Sequence, residues 1–181
     1  MLHFAPEKIL HPVLKKTAAE HKTADLITEG HSEAYGAIDY KIDISDMTMF
    51  TERVYDCFIV CAVPEHVYND KKATSEIYRV LSHKGYCFLT VPQQDGLSET
   101  YEDLSITGSK EREKKFGKYD HVRIYGSDFP EFLRKADFTM YEIDELNFPE
   151  ESRRRNVLFP YRPSERPLAT NHRKVFVEYK A

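Results

Sequence analysis

Two histidines stand where proton transfer would be useful. His121 lies in Asp120-His121-Val122-Arg123-Ile124-Tyr125, a dense polar set inside a stretch without regular pattern. His66 follows Glu65 directly after a long apolar run. Histidine titrates near neutrality, so it suits general acid–base work. Arg123 offers a planar fork that grips a carboxylate or phosphate in bidentate fashion, and Tyr101, Glu102 and Tyr125 are neighbours able to orient an acceptor. Each has a plainer alternative. His66 could start a helix or pack, and Arg123 could pair with Glu102 or Asp120. Asp25 and Asp43 each sit in or just after a short strand-like segment, where acids either hold a ligand or cap a strand in solvent. Glu7 stands near a helix start, a place that favours a carboxylate for the helix's own sake.

Other polar clusters say less. Lys110-Glu111-Arg112-Glu113-Lys114-Lys115 mixes signs at helical spacing and reads as a solvated helix. Ser152 to Lys174 holds seven basic residues against Glu165 alone, a local patch suited to an anionic acceptor or a neighbouring acidic surface. Cys57, Cys61 and Cys87 all lie in apolar runs, with no Cys-x-x-Cys pair, and read as small buried hydrophobes. The eight histidines include no His-x-x-x-His pair, so no metal site is expected.

Something must position these groups, and the alternation of periods supplies it. Met1 to Phe4 is a short apolar strand. A helix opens at Pro6-Glu7 with Ile9, Leu10, Val13 and Leu14 on one face, kinked at Pro12. Ala24 to Ile27 and Tyr40 to Ile44 read as the next strands. Cys57 to Val63 is an unbroken apolar run, fitting a parallel strand buried on both faces. Asn69 caps the following helix, whose apolar face is Ala73, Ile77, Val80 and Leu81, and Gly85 fits a left-handed position at its end. Tyr86 to Val91 completes a βαβ unit. Residues 93–126 form a lid or insertion. Asp128 and Glu131 propose a capping box. Phe138 to Ile143 and Lys174 to Tyr179 close the sheet as an antiparallel pair, joined through a basic, Pro- and Arg-rich connection over 146–173.

The whole fits one domain over 1–181. With 181 residues, 41% hydrophobic, the chain can bury one sizeable core. Its net charge of −4 speaks against a nucleic-acid partner, and no run approaches the roughly 20 apolar residues of a membrane span. A cytoplasmic protein is expected, with a homo-oligomer left open.

Short motifs in order carry a resemblance. Val54-Tyr55-Asp56-Cys57-Phe58-Ile59, Val63-Pro64-Glu65-His66-Val67 and Glu76-Ile77-Tyr78-Arg79-Val80-Leu81 resemble successive motifs of class I S-adenosylmethionine-dependent methyltransferases. Leu2-His3-Phe4-Ala5-Pro6-Glu7, Thr100-Tyr101-Glu102-Asp103, Phe116-Gly117 and Asp120 to Gly126 look like a type-11-like subgroup, over roughly Leu2 to Tyr179. The subgroup commonly carries a cysteine-rich, metal-binding segment before its first strand, which this chain is expected to lack. It departs from the family at the first turn, where His3-Phe4-Ala5-Pro6-Glu7 replaces Gly-x-Gly-x-Gly.

The resemblance implies a Rossmann-like α/β fold: a mostly parallel seven-stranded sheet with an antiparallel edge strand and helices on both faces. It implies S-adenosyl-L-methionine as cofactor. Asp25 would hold the ribose, Asp43 with Ile44 the adenine, and Phe4, Ala5 and Glu7 the methionine part. Cys61 and Ala62 would lie near the sulfonium. His66 and His121 would take the proton of a small or saccharide-like acceptor. The alternative is a catalytically silent relative used for binding or assembly.

Overall fold

The computed structural model describes residues 1–26, 38–156, 164–171 and 174–181. A seven-stranded sheet organises them. In chain order its strands are β1 (Leu2–Phe4), β2 (Lys22–Asp25), β3 (Tyr40–Lys41), β4 (Tyr55–Cys61), β5 (Leu81–Thr90), β8 (Thr139–Ile143) and β9 (Val175–Tyr179). Between them come helices α1 (Leu10–Thr17), α2 (Asp70–Val80), α3 (Ser109–Phe116), α4 (Phe129–Arg134) and α5 (Glu150–Asn156). A two-stranded ribbon, β6 (Tyr101–Glu102) and β7 (Arg123–Ile124), belongs to the segment over 93–126.

Across the sheet the order is β3-β2-β1-β4-β5-β9-β8. β1 pairs in parallel with both β2 and β4, placing Phe4 opposite Ala24 on one side and Val60 on the other. β5 runs parallel to β4, with Cys61 opposite Thr90. β9 is reversed against both β5 and β8, so the antiparallel strand lies one place in from the edge that β8 forms. The chain therefore reverses its winding between β1 and β4, and that switch point opens a crevice at the carboxyl ends of the strands.

Apolar runs explain the centre. Leu2, Phe4, Phe58, Val60, Leu81, Leu89 and Phe176 are buried in one core, with Phe4 stacked on Phe58 at 6.3 Å and Phe129 edge-on to Phe176 at 5.0 Å. Helix α2 forms as its sequence dictates. The Asn69 side chain accepts a hydrogen bond from Lys72 N, and Ala73, Ile77 and Val80 turn into the core.

Several local expectations are corrected. Helix α1 begins at Leu10, which puts Pro12 in the first turn, where a missing N–H costs nothing and no kink follows. Its expected inner face is only partly covered: Leu10 and Leu14 are half-buried, but Ile9 is 87% and Val13 54% exposed. β2 ends at Asp25, and Ile27 lies outside the described residues; β3 is shortened to Tyr40–Lys41. Lys84, not Gly85, takes the left-handed conformation. Gly85 is needed for space, since a Cβ there would lie 2.8 Å from Ser82 O. Asp128 makes no capping box: its Oδ1 accepts from Thr100 N at 2.9 Å and from Thr100 Oγ1 at 2.8 Å. Part of the basic connection, including Arg162 and Arg173, lies outside the described residues, while Arg154 pairs with Glu150 at 2.7 Å on α5.

That Asp128–Thr100 contact fastens the inserted segment to the body, and Gly126 sits beneath it. A Cβ on Gly126 would lie 2.7 Å from the carbonyl carbon of Glu99 and 2.9 Å from its nitrogen. Backbone cannot swing aside as a side chain can. Gly126→Ala is expected to cost about 1–3 kcal/mol, read as a lowered melting temperature; an unchanged melting temperature would refute this account of the junction.

Candidate functional site

The crevice is built from strand ends. Ala5 follows β1 and Ala62 follows β4, and both hold positive φ, 45° and 52°. Their amides are tied down, Ala5 N donating to Ala24 O at 2.9 Å and Ala62 N to Thr90 O at 2.9 Å. Non-glycine residues held in this region store strain, and such positions gather at functional sites. Alanine has the smallest Cβ-bearing side chain, so Ala5 makes the turn that glycine makes in the resembled family.

Beside it, Glu7 Oε2 lies 2.7 Å from His3 Nε2. Burial pushes the Glu7 carboxyl up, but hydrogen bonds from His3, its own backbone and Cys61 outweigh this and hold it below the usual range. The Cys61 thiol is driven up to about 12 by burial and by Glu7, so it stays protonated. Asp25 ends β2 and lies close enough to act on His66. Asp43 keeps a local turn, its Oδ1 accepting from Ser45 N and Ser45 Oγ at 2.7 Å each, and Ile44 is buried. The side chain of Phe4 belongs to the core, leaving only its backbone at the crevice.

The loop after β3 is held by a pair that sequence reasoning passed over. Arg79 donates to Phe50 O and Met47 O at 2.9 Å each, while Glu76 binds Arg79 Nε at 2.7 Å and accepts from Met47 N at 2.9 Å. Both belong to the Glu76-Ile77-Tyr78-Arg79 motif, which was the signal available.

A cavity of about 660 Å³ continues from the strand ends. Ala62 and Thr90 floor it, Val91 and Pro92 follow β5, Ile143 and Val175 wall it, and Glu65, His66 and His121 converge on it. The His66 and His121 rings meet edge-to-face at 4.7 Å. His121 Nδ1 donates to Phe116 O at 3.2 Å, which leaves Nε2 as the lone-pair nitrogen, 4.0 Å from Glu65 Oε1. His66 Nδ1 lies 3.5 Å from Asp120 Oδ2, and Lys118 Nζ reaches the same oxygen at 3.5 Å. Burial and the neighbouring His66 push His121 down to about 4, and burial also lowers His66. Burial raises Glu65 to about 7. Glu65 Oε2 and Asp120 Oδ1 are buried without a hydrogen-bond partner. Histidines that look scattered along the chain are thus brought together with a carboxylate, and Glu65 was signalled only by its place beside His66.

Tyr101, Glu102, Arg123 and Tyr125 are brought together as well, but away from the cavity. Arg123 is 1% exposed. Its guanidinium donates to Pro64 O at 2.8 Å, Tyr68 O at 3.2 Å, Val67 O and Glu102, and lies 3.5 Å from Asp70. Tyr125 OH donates to Asp70 Oδ2 at 3.0 Å, and the Tyr101 ring lies on Phe116 at 5.6 Å. In this arrangement the four fasten the inserted segment to the turn after β4. No helix among the described residues is long and apolar enough to cross a membrane.

Residues 10–89 match the profile of a methyltransferase-domain family. No curated protein sequence matches the chain. Among solved structures, a 1,6-didemethyltoxoflavin-N1-methyltransferase of Burkholderia thailandensis, with bound substrate and S-adenosylhomocysteine, is similar with TM-score 0.63 at 15% identity. The match covers 99% of this chain and 70% of that one. A SAM-dependent methyltransferase from Archaeoglobus fulgidus gives TM-score 0.65 at 13% identity, covering 99% and 85%. The [4+2]-cyclase SpnF gives 0.61 at 14%, covering 99% and 74%. At these identities the likeness is one of fold.

Proposed function

We propose, from the class I S-adenosylmethionine-dependent methyltransferase fold that the chain carries, that it transfers a methyl group from S-adenosyl-L-methionine to a small-molecule or saccharide-like acceptor. One observation carries the reading. Ala62, which ends the switch-point strand β4, lines the same cavity on which Glu65, His66 and His121 converge.

The residues present fit the cofactor. Asp25 would accept from the ribose hydroxyls, and Asp43, with the buried Ile44 beside it, from the adenine amino group. Ala5, at positive φ, would allow close backbone approach, Glu7 would accept from the amino end of the methionine part, and Cys61 and Ala62 would offer backbone near the sulfur. Bound there, the cofactor supplies an activated methyl carbon, so the protein's work is positioning and proton removal. His66 and His121 line the acceptor side. One of them would take the hydroxyl proton as the acceptor oxygen bonds to the methyl carbon, the C–S electron pair going to the cofactor's sulfur. The cyclase of like fold shows why the fold by itself does not name the reaction.

Asp25→Ala and Asp43→Ala are each expected to weaken S-adenosylhomocysteine binding by about 1–3 kcal/mol, the cost of leaving ligand polar groups unpaired. Calorimetric titration of the two variants beside the parent measures it. Unchanged affinity in both would mean that the pocket lies elsewhere.

A further inference from the structure

Among the described residues, two groups bring three potential ligand atoms within 4.8 Å of one another: His3, His11 and His21, and Glu65, His66 and His121. They differ in what their atoms already do. Both ring nitrogens of His3 are engaged, Nδ1 with His21 at 3.3 Å and Nε2 with Glu7 at 2.7 Å, so that group is a closed polar chain. The second group is open. Glu65 is 1% exposed, its Oε2 has no partner, and it faces the cavity.

A buried carboxylate oxygen without a donor is costly, and an arrangement that keeps one needs a reason. The surroundings of the two imidazoles supply it. Metal-ligating histidines usually donate their other ring nitrogen to a carbonyl or a carboxylate, which fixes ring orientation and raises ligand basicity. His121 does this toward Phe116 O at 3.2 Å, and His66 faces Asp120 at 3.5 Å. The ligand-bearing segments are also locked together, Val122 N donating to Glu65 O at 3.0 Å. Bonds of about 2.0–2.1 Å in a tetrahedral site would set ligand atoms about 3.3 Å apart. The three ligand atoms lie within 4.8 Å of one another, with 4.0 Å between His121 Nε2 and Glu65 Oε1, so binding draws the side chains together by about 1–1.5 Å at most.

We propose that Glu65, His66 and His121 bind a divalent first-row transition-metal ion through two imidazoles and one carboxylate, with a coordination position open to the cavity. Two imidazoles with one carboxylate suit zinc, iron, cobalt or manganese better than calcium or magnesium. Asp120 orients His66 and adds negative charge that Lys118 partly balances. The site stands on these side chains alone and does not depend on methyl transfer. If methyl transfer holds, an ion held there would lower the pKa of the acceptor hydroxyl so that its proton passes to solvent, and the two imidazoles would serve as ligands in place of bases.

The test is calorimetric titration of the full chain, stripped with a chelator, with zinc chloride. One equivalent should bind with a dissociation constant of about micromolar or tighter and raise the melting temperature. His66→Ala and Glu65→Gln should each weaken binding at least about tenfold, and His121→Ala likewise, while His21→Ala leaves it unchanged. His66 is only half-buried, so its variant keeps the test valid if His121→Ala fails to fold. No binding at millimolar zinc overturns the proposal, as does parent-like binding in His66→Ala and Glu65→Gln, or loss of binding in His21→Ala. Titrating the stripped protein with S-adenosylhomocysteine separates failure of the metal site from failure of the cofactor reading.

Discussion

Arg123→Ala is expected to destabilise the protein by about 3–5 kcal/mol, among the largest losses that any single substitution here would cause. The reason is what the guanidinium leaves behind. It is 1% exposed and answers the carbonyls of Pro64, Val67 and Tyr68, together with Glu102 and Asp70. Without it, the carbonyls of Pro64, Val67 and Tyr68 lose this donor, at about 1–3 kcal/mol for each that stays buried, while the exposed Glu102 returns to water and Asp70 keeps the Tyr125 hydroxyl. Lysine cannot reproduce a planar fork with five donors, so Arg123→Lys should recover less than half of the loss. Denaturant unfolding measures both. Because these carbonyls shape the turn that carries Glu65 and His66, the cavity should suffer as well. A loss under 1 kcal/mol in Arg123→Ala would mean that the clamp is dispensable.

The second large effect concerns Glu178, fully buried on β9 with no donor at hydrogen-bond geometry for either oxygen. Burial raises it to about 8, the Cys87 thiol offsetting only part of this, against an ordinary value of 4.5. The folded protein therefore holds a proton that the unfolded chain has released between those two values. Its contribution is fully present below about pH 4.5 and is lost as pH rises toward 8, after which it is flat. The span corresponds to about 4–5 kcal/mol. Glu178→Gln keeps the shape and removes this titration, so it should make the fall of stability between pH 5 and pH 8 shallower, leaving the part due to Glu65, and gain most of that energy at pH 8.5. Unfolding free energies over that range decide it, and a variant with the parent's slope would contradict the assignment.

Where information is local, the sequence is readable. Asn69 as N-cap, the Ala73–Ile77–Val80 face and the apolar run of β4 each follow from neighbours a few residues away, and each forms. The order of strands follows from such units together with the family resemblance. Helix α1 misled because an apolar stripe says which residues would gain from burial, not whether a partner surface exists; Ile9 and Val13 have none among the described residues. Arg123 was open to two readings for a related reason. A polar cluster has the same composition whether it faces a ligand or its own backbone, and here the carbonyls of Pro64, Val67 and Tyr68 decide. The two histidines were visible one at a time, but their contact with each other and with Glu65 depends on the tertiary fold.

The central claim is that the strand-end crevice takes S-adenosylmethionine. Titration calorimetry of the 181-residue chain with S-adenosylmethionine and S-adenosylhomocysteine tests it most directly, since the chain contains no tryptophan to report binding by fluorescence. The account predicts binding of both at about micromolar concentration, about −8 kcal/mol, with a rise in melting temperature. No heat and no thermal shift at millimolar ligand would contradict it, and would point to a fold kept for binding or assembly.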